Sequence, residues 1–311
     1  MPSVKPGEAM GANLPRISIG MPTFNGGSYI GEAIESILGQ SLSDIELIIS
    51  DNASNDDTEQ ICRKYEARDS RVRYFRQEKN RGAYLNYDFV LKEARAELFM
   101  WAADDDVRDS NWLEILSPHV KGDTLLAFGR IVSMDGGGKI CREYPFKPMA
   151  SLRTLRLIQY FLREESGGKA NLIYGLFRRQ VLLSRPFNVY FGCAHGVDMH
   201  YLFDLMQDGT VAIDIRTTHY PRIYPRIENR VTPDTATANV DQSVTTFISA
   251  KLCQLLLLDS LKYFSAYRRI ARHPLEKMAL AALLPVKYIK SVLHQIYQVI
   301  TRKWHSQGVP D

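Results

Sequence analysis

Asp104, Asp105 and Asp106 end an apolar run that begins at Leu98, and a strand that stops in three carboxylates gathers negative charge at one sheet edge. Like charges this close raise one another's pKa. The cluster calls for a counter-charge, and a hard divalent cation supplies it through oxygen ligands, typically shared between one or two carboxylates and substrate phosphates. A solvated acidic turn would carry the same three letters. Two further polar clusters weigh against that plain reading. Pro22-Thr23-Phe24-Asn25-Gly26-Gly27 follows the apolar run Ile17–Met21, and Ser50-Asp51-Asn52-Ala53-Ser54 follows Ile45–Ile49.

These clusters need elements to hold them. Ile17–Met21, Ile45–Ile49, Val72–Phe75 and Leu98–Ala102 read as strands, short and apolar. Ile30, Ala33, Ile34, Ile37 and Leu38 keep a helical period. Asn55-Asp56-Asp57-Thr58 offers caps for a helix reaching Tyr65, and a third helix spans about Tyr84–Ala94 after the loop Glu78–Gly82. Alternating strand and helix predicts an α/β fold with a parallel, doubly wound sheet. Ligands of such sheets bind beyond the carboxyl ends of the strands, where all three polar clusters fall.

Past residue 120 the pattern changes. Leu125–Val132, a segment near Ile140, Asn171–Phe177 and Val211–Ile215 read as strands, while Leu152–Leu162 and Val197–Met206 read as helices. From Val244 to Trp304 the chain reads as nearly continuous helix, interrupted at Pro274 and Pro285. Residues 1–13 read as a loose tail.

At 311 residues, with 45% apolar and 24% charged content, the chain has the composition of an ordinary globular protein. Cys62, Cys141, Cys193 and Cys253 are far apart and form no metal-ligand spacing, so reduced thiols in a cytosolic protein are expected and a zinc site is not. No secretory signal pattern opens the chain. Charge is uneven: ten Lys or Arg between Lys251 and Lys303 face only Asp259 and Glu276, a local balance of +8 within an overall +4. Ile289, Val292, Leu293, Ile296, Tyr297 and Ile300 share one helical stripe there. A basic amphipathic helix can lie in a membrane interface, pack on the body or pair with a second subunit. It is too broken by charge to span a bilayer.

The series Ile17–Asn25, Glu46–Ser54, Asn80-Arg81-Gly82 and Asp104-Asp105-Asp106 resembles family 2 glycosyltransferases of the GT-A fold, of the kind that build bacterial surface polysaccharides. The resemblance is strong over about residues 15–120 and weaker to about 225. It implies a Rossmann-like, mostly parallel central sheet with a helical C-terminal extension. Residues 14–120 would form the nucleotide-sugar half, 121–243 the acceptor half and 244–311 the basic extension. It further implies an inverting, metal-dependent transfer of a sugar from a nucleotide to an acceptor hydroxyl, with Mn²⁺ or Mg²⁺ as cofactor. The acceptor would be a glycan or lipid-linked sugar, and the location cytoplasmic or peripheral on the cytoplasmic membrane face. Nucleic acid is not an expected partner, and a homo-oligomer is left open.

By the family pattern Pro22, Thr23, Phe24, Asn25, Asp51 and Asn52 hold base and ribose, and Arg81 reaches base or diphosphate. Asp104 touches ribose or donor sugar, Asp105 binds the metal, and Asp106 assists it or orders the loop. Many relatives carry two acids where this chain has Asp51-Asn52. An amide donates as well as accepts, so the base is not fixed as uracil. Asp198, in Gly196-Val197-Asp198, matches the catalytic base, although Val197 replaces a frequent Glu; a helix N-cap is its plain alternative. His195, His200 and His219 are weighed likewise, His219 either near the diphosphate or metal, or a packing or surface residue. Two rivals remain: a non-catalytic sugar-nucleotide or partner-binding module, and a nucleotidyltransferase. The latter should open with a basic Gly-rich loop, whereas Pro22–Gly27 has no Lys or Arg.

Overall fold

The computed structural model describes residues 14–164, 168–185, 196–223 and 262–306, with the side chains of 295–306 left out. Cys193, His195, Cys253 and the expected tail over 1–13 lie outside the described residues, as does the whole segment 224–261. The chain divides into two compact units. The first holds residues 1–130, 174–186 and 212–221, and the second holds 131–173, 187–211 and 222–311.

In the first unit, β1 (Ile17–Thr23), β2 (Ile45–Asp51), β3 (Val72–Arg76) and β4 (Leu98–Trp101) alternate with α1 (Ile30–Leu38), α2 (Thr58–Arg68) and α3 (Ala83–Glu93). These four strands pair in parallel in the order β3-β2-β1-β4. β1 and β2 are buried along their whole length, as expected of parallel strands covered on both faces. β1 and β2 run on into their polar clusters, because backbone pairing continues through Pro22↔Ser50 and Thr23↔Asp51. The next strands are antiparallel: β8 (Leu176–Arg178) pairs with β4 and with β6 (Thr124–Met134). At the far edge β5 (Val107–Arg108) pairs with β9 (Thr210–Tyr220). Two short helices complete the unit, α4 (Trp112–Leu116) and α6 (Arg179–Leu183).

One glycine positions the site. A Cβ on Gly20 would sit 2.6 Å from Val90 Cγ2 and 2.8 Å from Phe99 Cζ, so the bare backbone of β1 lets α3 lie close against it. That approach carries the first turn of α3 over the ends of β1 and β2. Asn86, buried in that turn, donates its side-chain N–H groups to the carbonyls of Ser50 and Thr23 and accepts from Ser50 Oγ. The amide pins the two strand ends together.

The second unit holds the end of β6 paired with β7 (Ile140–Tyr144), then α5 (Arg153–Leu162), α7 (Val197–Leu205), α8 (residues 262–270) and α9 (Pro274–Ser306). Two expectations are corrected here. Residues 171–177 are not one strand: Lys169–Tyr174 forms a 3₁₀ helix, and pairing begins only at Leu176. A Cβ at the intervening Gly175 would press 2.3 Å from Leu126 Cδ1 and 2.8 Å from the Ala127 carbonyl, so the chain changes conformation where only glycine fits. Pro285 does not interrupt α9, which runs through it. Pro285 is exposed, so its ring stands in solvent rather than against packed core. Pro274, by contrast, stands at the first helical position, where its missing N–H costs nothing.

Candidate active site

The parallel register sets the site. Thr23 and Asp51 end level, Asn52 N–H donates to the Thr23 carbonyl at 2.9 Å, and Ala102 N–H donates to the Gly20 carbonyl at 2.9 Å. Asp104 therefore emerges beside the end of β1, where Thr23 Oγ1 donates to its Oδ2. A Cβ on Gly26 would lie 2.5 Å from that same oxygen and 2.7 Å from Thr23 Oγ1, so the loop after β1 closes around the pair only because residue 26 has no side chain. Burial pushes the Asp104 carboxyl above its ordinary pKa; the Thr23 hydroxyl offsets part of this, and neighbouring Asp106 adds to it.

Pro22, Thr23, Phe24, Asn52, Asn80, Ala83, Asn86, Tyr87 and Asp104 line a cleft of about 230 Å³. Five of the sequence-predicted residues thus share it. Phe24 is 48% exposed, an aromatic face left at the mouth. Asn25 does not line the cleft; it sits at φ 55° and ties the loop through its Oδ1, which accepts from Asn55 N–H. Ala53 at φ 64° is the second non-glycine residue in the left-handed region, so both strand-end loops hold strained backbone.

Asp51 is fully buried and turned inward. Its Oδ1 accepts from Ser54 N–H at 2.8 Å, and its Oδ2 accepts from Tyr74 Oη at 2.7 Å and Arg76 Nη1 at 2.8 Å. Asn52 faces the cleft with its amide fixed by backbone. Its Oδ1 accepts from Arg81 N–H, and its Nδ2 donates to Asn80 Oδ1, which also accepts from Gly82 N–H, each at 2.8 Å. Asn80 itself is exposed. Arg81 itself is exposed, its Nη1 3.5 Å from Gln77 Oε1.

Asp106 is closed in at 4% exposure, its Oδ2 3.3 Å from Nε2 of a fully buried His219. His219 packs against Trp112, Phe128 and Tyr174, and burial pushes its pKa below the ordinary histidine value although Asp106 pulls it up. Beside this pair lies the buried Arg108 guanidinium. None of its nitrogens makes a hydrogen bond among the described residues, and burial lowers its pKa to about 10. The register Arg108↔His219 explains the grouping, which the sequence did not reveal because β5 is only two residues long.

Among the described residues, no three His, Cys, Asp or Glu side chains are grouped to hold a metal ion by themselves. Asp105, the expected metal ligand, is half-buried between Asp104 and the closed-in Asp106, and the oxygen donors of this run are of the type a hard cation takes.

The glycosyl transferase family 2 model matches residues 18–182, more than half of the chain, and covers every strand end described above except β9. The chain belongs to glycosyltransferase family 2. Among curated relatives, it is 27% identical over 179 residues to the GalNAc(5)-diNAcBac-PP-undecaprenol beta-1,3-glucosyltransferase of Campylobacter jejuni, covering 57% of this chain and 56% of that one. It is 33% identical over 105 residues to glycosyltransferase GlyG of Streptococcus pneumoniae, covering 34% of this chain and 35% of that one. The matched region thus spans about half or less of these relatives. The S. aureus TarS structure in complex with UDP-GlcNAc superposes with TM-score 0.57 at 17% identity, over 86% of this chain and 70% of that one. Mannosyltransferase PcManGT of Pyrobaculum calidifontis, with GDP-Man and Mn²⁺, gives 0.52 at 13%, over 91% and 74%. These likenesses establish the GT-A fold.

In the second unit of this family 2 member, α7 is capped by Gly196 at φ 70°, so Asp198 lies inside the first turn and is not the N-cap. It is partly buried and its Oδ1 accepts from Met199 N–H at 2.9 Å. Burial raises its pKa above the ordinary carboxyl value, with Lys169 pulling the other way. His200 is a packing residue, buried between Tyr263 and Tyr267 with Nε2 3.1 Å from the Tyr263 carbonyl. Tyr87 and Asn80 are cleft residues that sequence reasoning missed as ligand contacts. For Asn80 the signal was present in the Asn80-Arg81-Gly82 loop.

Proposed function

We propose that this transferase moves a sugar, with inversion, from a nucleotide sugar to an acceptor hydroxyl. The observation that carries the reading is the cleft at the ends of β1 and β2, where the Thr23–Asp104 pair meets an aromatic face and fixed amides. Phe24 stacks on the base and Asn52 and Asn80 address its edge, while Asp51 holds the strand end they stand on. Asp104 accepts from a ribose or sugar hydroxyl, and exposed Arg81 offers its planar fork to diphosphate oxygens. Asp105, with Asp106 assisting from its place against His219, would hold Mn²⁺ or Mg²⁺, which neutralises charge building on the departing diphosphate. Asp198 takes the acceptor proton as the oxygen attacks the anomeric carbon. A pKa raised by burial suits that task, because a base works best near the ambient pH. The undecaprenol-linked acceptor in the name of the Campylobacter relative makes a lipid-linked glycan the acceptor class to try first.

The test is a thermal-shift panel of UDP-, GDP-, dTDP- and CDP-sugars with and without Mn²⁺, followed by turnover of the best donor. One base should stand out. Asp198→Asn should retain the donor-induced shift and lose about 10²–10⁴-fold in turnover. No shift with any donor defeats the reading, and full turnover by the variant defeats the assignment of the base.

A further inference from the structure

The aspartate run leads straight into β5, and burial alternates along the step: Asp106 and Arg108 are buried, and Val107 between them is half-buried. Residues i and i+2 of extended backbone share a face, so carboxylate and guanidinium enter the same interior. The register Arg108↔His219 brings the imidazole there too, with Nε2 3.3 Å from Asp106 Oδ2. Trp112, Phe128 and Tyr174 close around that ring. Arg108 Nε, Nη1 and Nη2 are all buried without a hydrogen bond among the described residues, while the charge of Asp106 reaches the group.

A guanidinium stays charged at any working pH. Burying one with its N–H donors idle is unfavourable unless its charge is matched. Arg156, equally buried in the second unit, shows the ordinary solution: it donates to the carbonyls of Ala150, Ser151 and Met206. Arg108 makes no such bonds, so what it brings to this interior is charge. Three adjacent carboxylates repel one another more strongly as they are buried, and the run calls for a counter-charge. Arg108 is one that the chain itself carries.

We infer that Arg108 is the resident counter-charge of the aspartate run: it balances Asp106 in the metal-free protein and weakens the run's hold on a free cation, so that the cation stays only when diphosphate oxygens join it. The second half rests on the cation reading above; the first does not. The experiment melts the full-length wild type, Arg108→Met, Arg108→Lys and Asp106→Asn/Arg108→Met in EDTA and in Mn²⁺. Arg108→Met should melt about 5–10 °C lower in EDTA, with Mn²⁺ recovering at least half of that loss. Arg108→Lys keeps the charge and should stay within about 3 °C of wild type. The double variant should regain most of what Arg108→Met lost, because replacing a buried pair whole is far less damaging than breaking it. Mn²⁺ titrated into nucleotide-free protein, followed by the free-ion EPR signal, should bind Arg108→Met about tenfold or more tightly than wild type. An arginine needed only for packing would lower every melt alike. A loss equal in EDTA and Mn²⁺, with a double variant no better than the single one, therefore overturns the inference. If Arg108→Met does not fold in EDTA, the double variant decides: folding supports the inference and failure overturns it. Unchanged or weaker Mn²⁺ binding by Arg108→Met overturns the second half. A wild-type nucleotide shift that ignores Mn²⁺ defeats the cation reading and that second half with it, while the double variant still judges the balance between Arg108 and Asp106.

Discussion

Asp104 owes its position to what residue 26 lacks. The carboxylate that faces the cleft is held by a threonine hydroxyl and fits under the loop because no Cβ stands in its way. The atoms a methyl would strike are side-chain ends rather than backbone, so Gly26→Ala should shift Thr23 and Asp104 while costing little stability. We expect donor affinity to fall about tenfold or more, with the melting temperature nearly unchanged; titration calorimetry beside a thermal melt checks this. A parallel drop in both would mean the loop, not the carboxylate, had moved. Residue identity also explains Asp51. It ends β2 as the sequence implied, but Tyr74 and Arg76 on β3 claim its oxygens, leaving the cleft wall to Asn52. Burial, with the charge of Asp51 adding to it, pushes the nearby Cys62 thiol up to about 12, which disfavours its thiolate.

At the scale of elements, the parallel half of the sheet is tied at its opposite end by Glu46. This β2 carboxylate, 2% exposed, accepts from Ser18 Oγ on β1, Arg73 Nη1 on β3 and both the backbone N–H and Nε of Arg95 just before β4. Burial alone would raise its pKa, but the bonds from Ser18 and Arg95 outweigh that and hold it below the ordinary value. Glu46→Gln would turn an amide N–H₂ toward a donor. With both arginines partly exposed, the expected loss is about 1–3 kcal/mol near neutrality. A folded pKa below the unfolded one gives stability that is present above about pH 4.3 and lost as pH falls through the folded value. The gap between wild type and Glu46→Gln in urea melts should therefore narrow from about pH 5 downward. A gap independent of pH would show that the carboxylate's charge is not what ties the strands.

For the whole molecule, the proposed function ties cation binding to nucleotide binding. No group of three ligand side chains was found to hold a metal ion among the described residues, so a cation completed by diphosphate oxygens should bind weakly to the protein alone. Ligands that bind only the native state raise its melting temperature. Chelation should therefore leave the free protein's melting temperature within about a degree and abolish most of the nucleotide-induced shift. A large drop on chelating the free protein would point to a structural metal instead.

The sequence by itself determined where chemistry sits along the chain. Apolar runs of four to seven residues that stop in Thr-Phe-Asn, Asp-Asn and Asp-Asp-Asp read as strands with polar ends, and a parallel sheet brings such ends to one edge. What the tertiary structure decided is which way each polar group faces. That depends on partners distant in sequence: Tyr74 and Arg76 for Asp51, His219 for Asp106, Asn80 for Asn52. It also decided that Lys169–Tyr174 coils before its strand and that α9 passes through Pro285, because packing and solvent exposure, not local propensity, fix what a backbone can leave unpaired. Periodicity is local and survives in one dimension; the direction of a side chain is set by neighbours that only folding supplies.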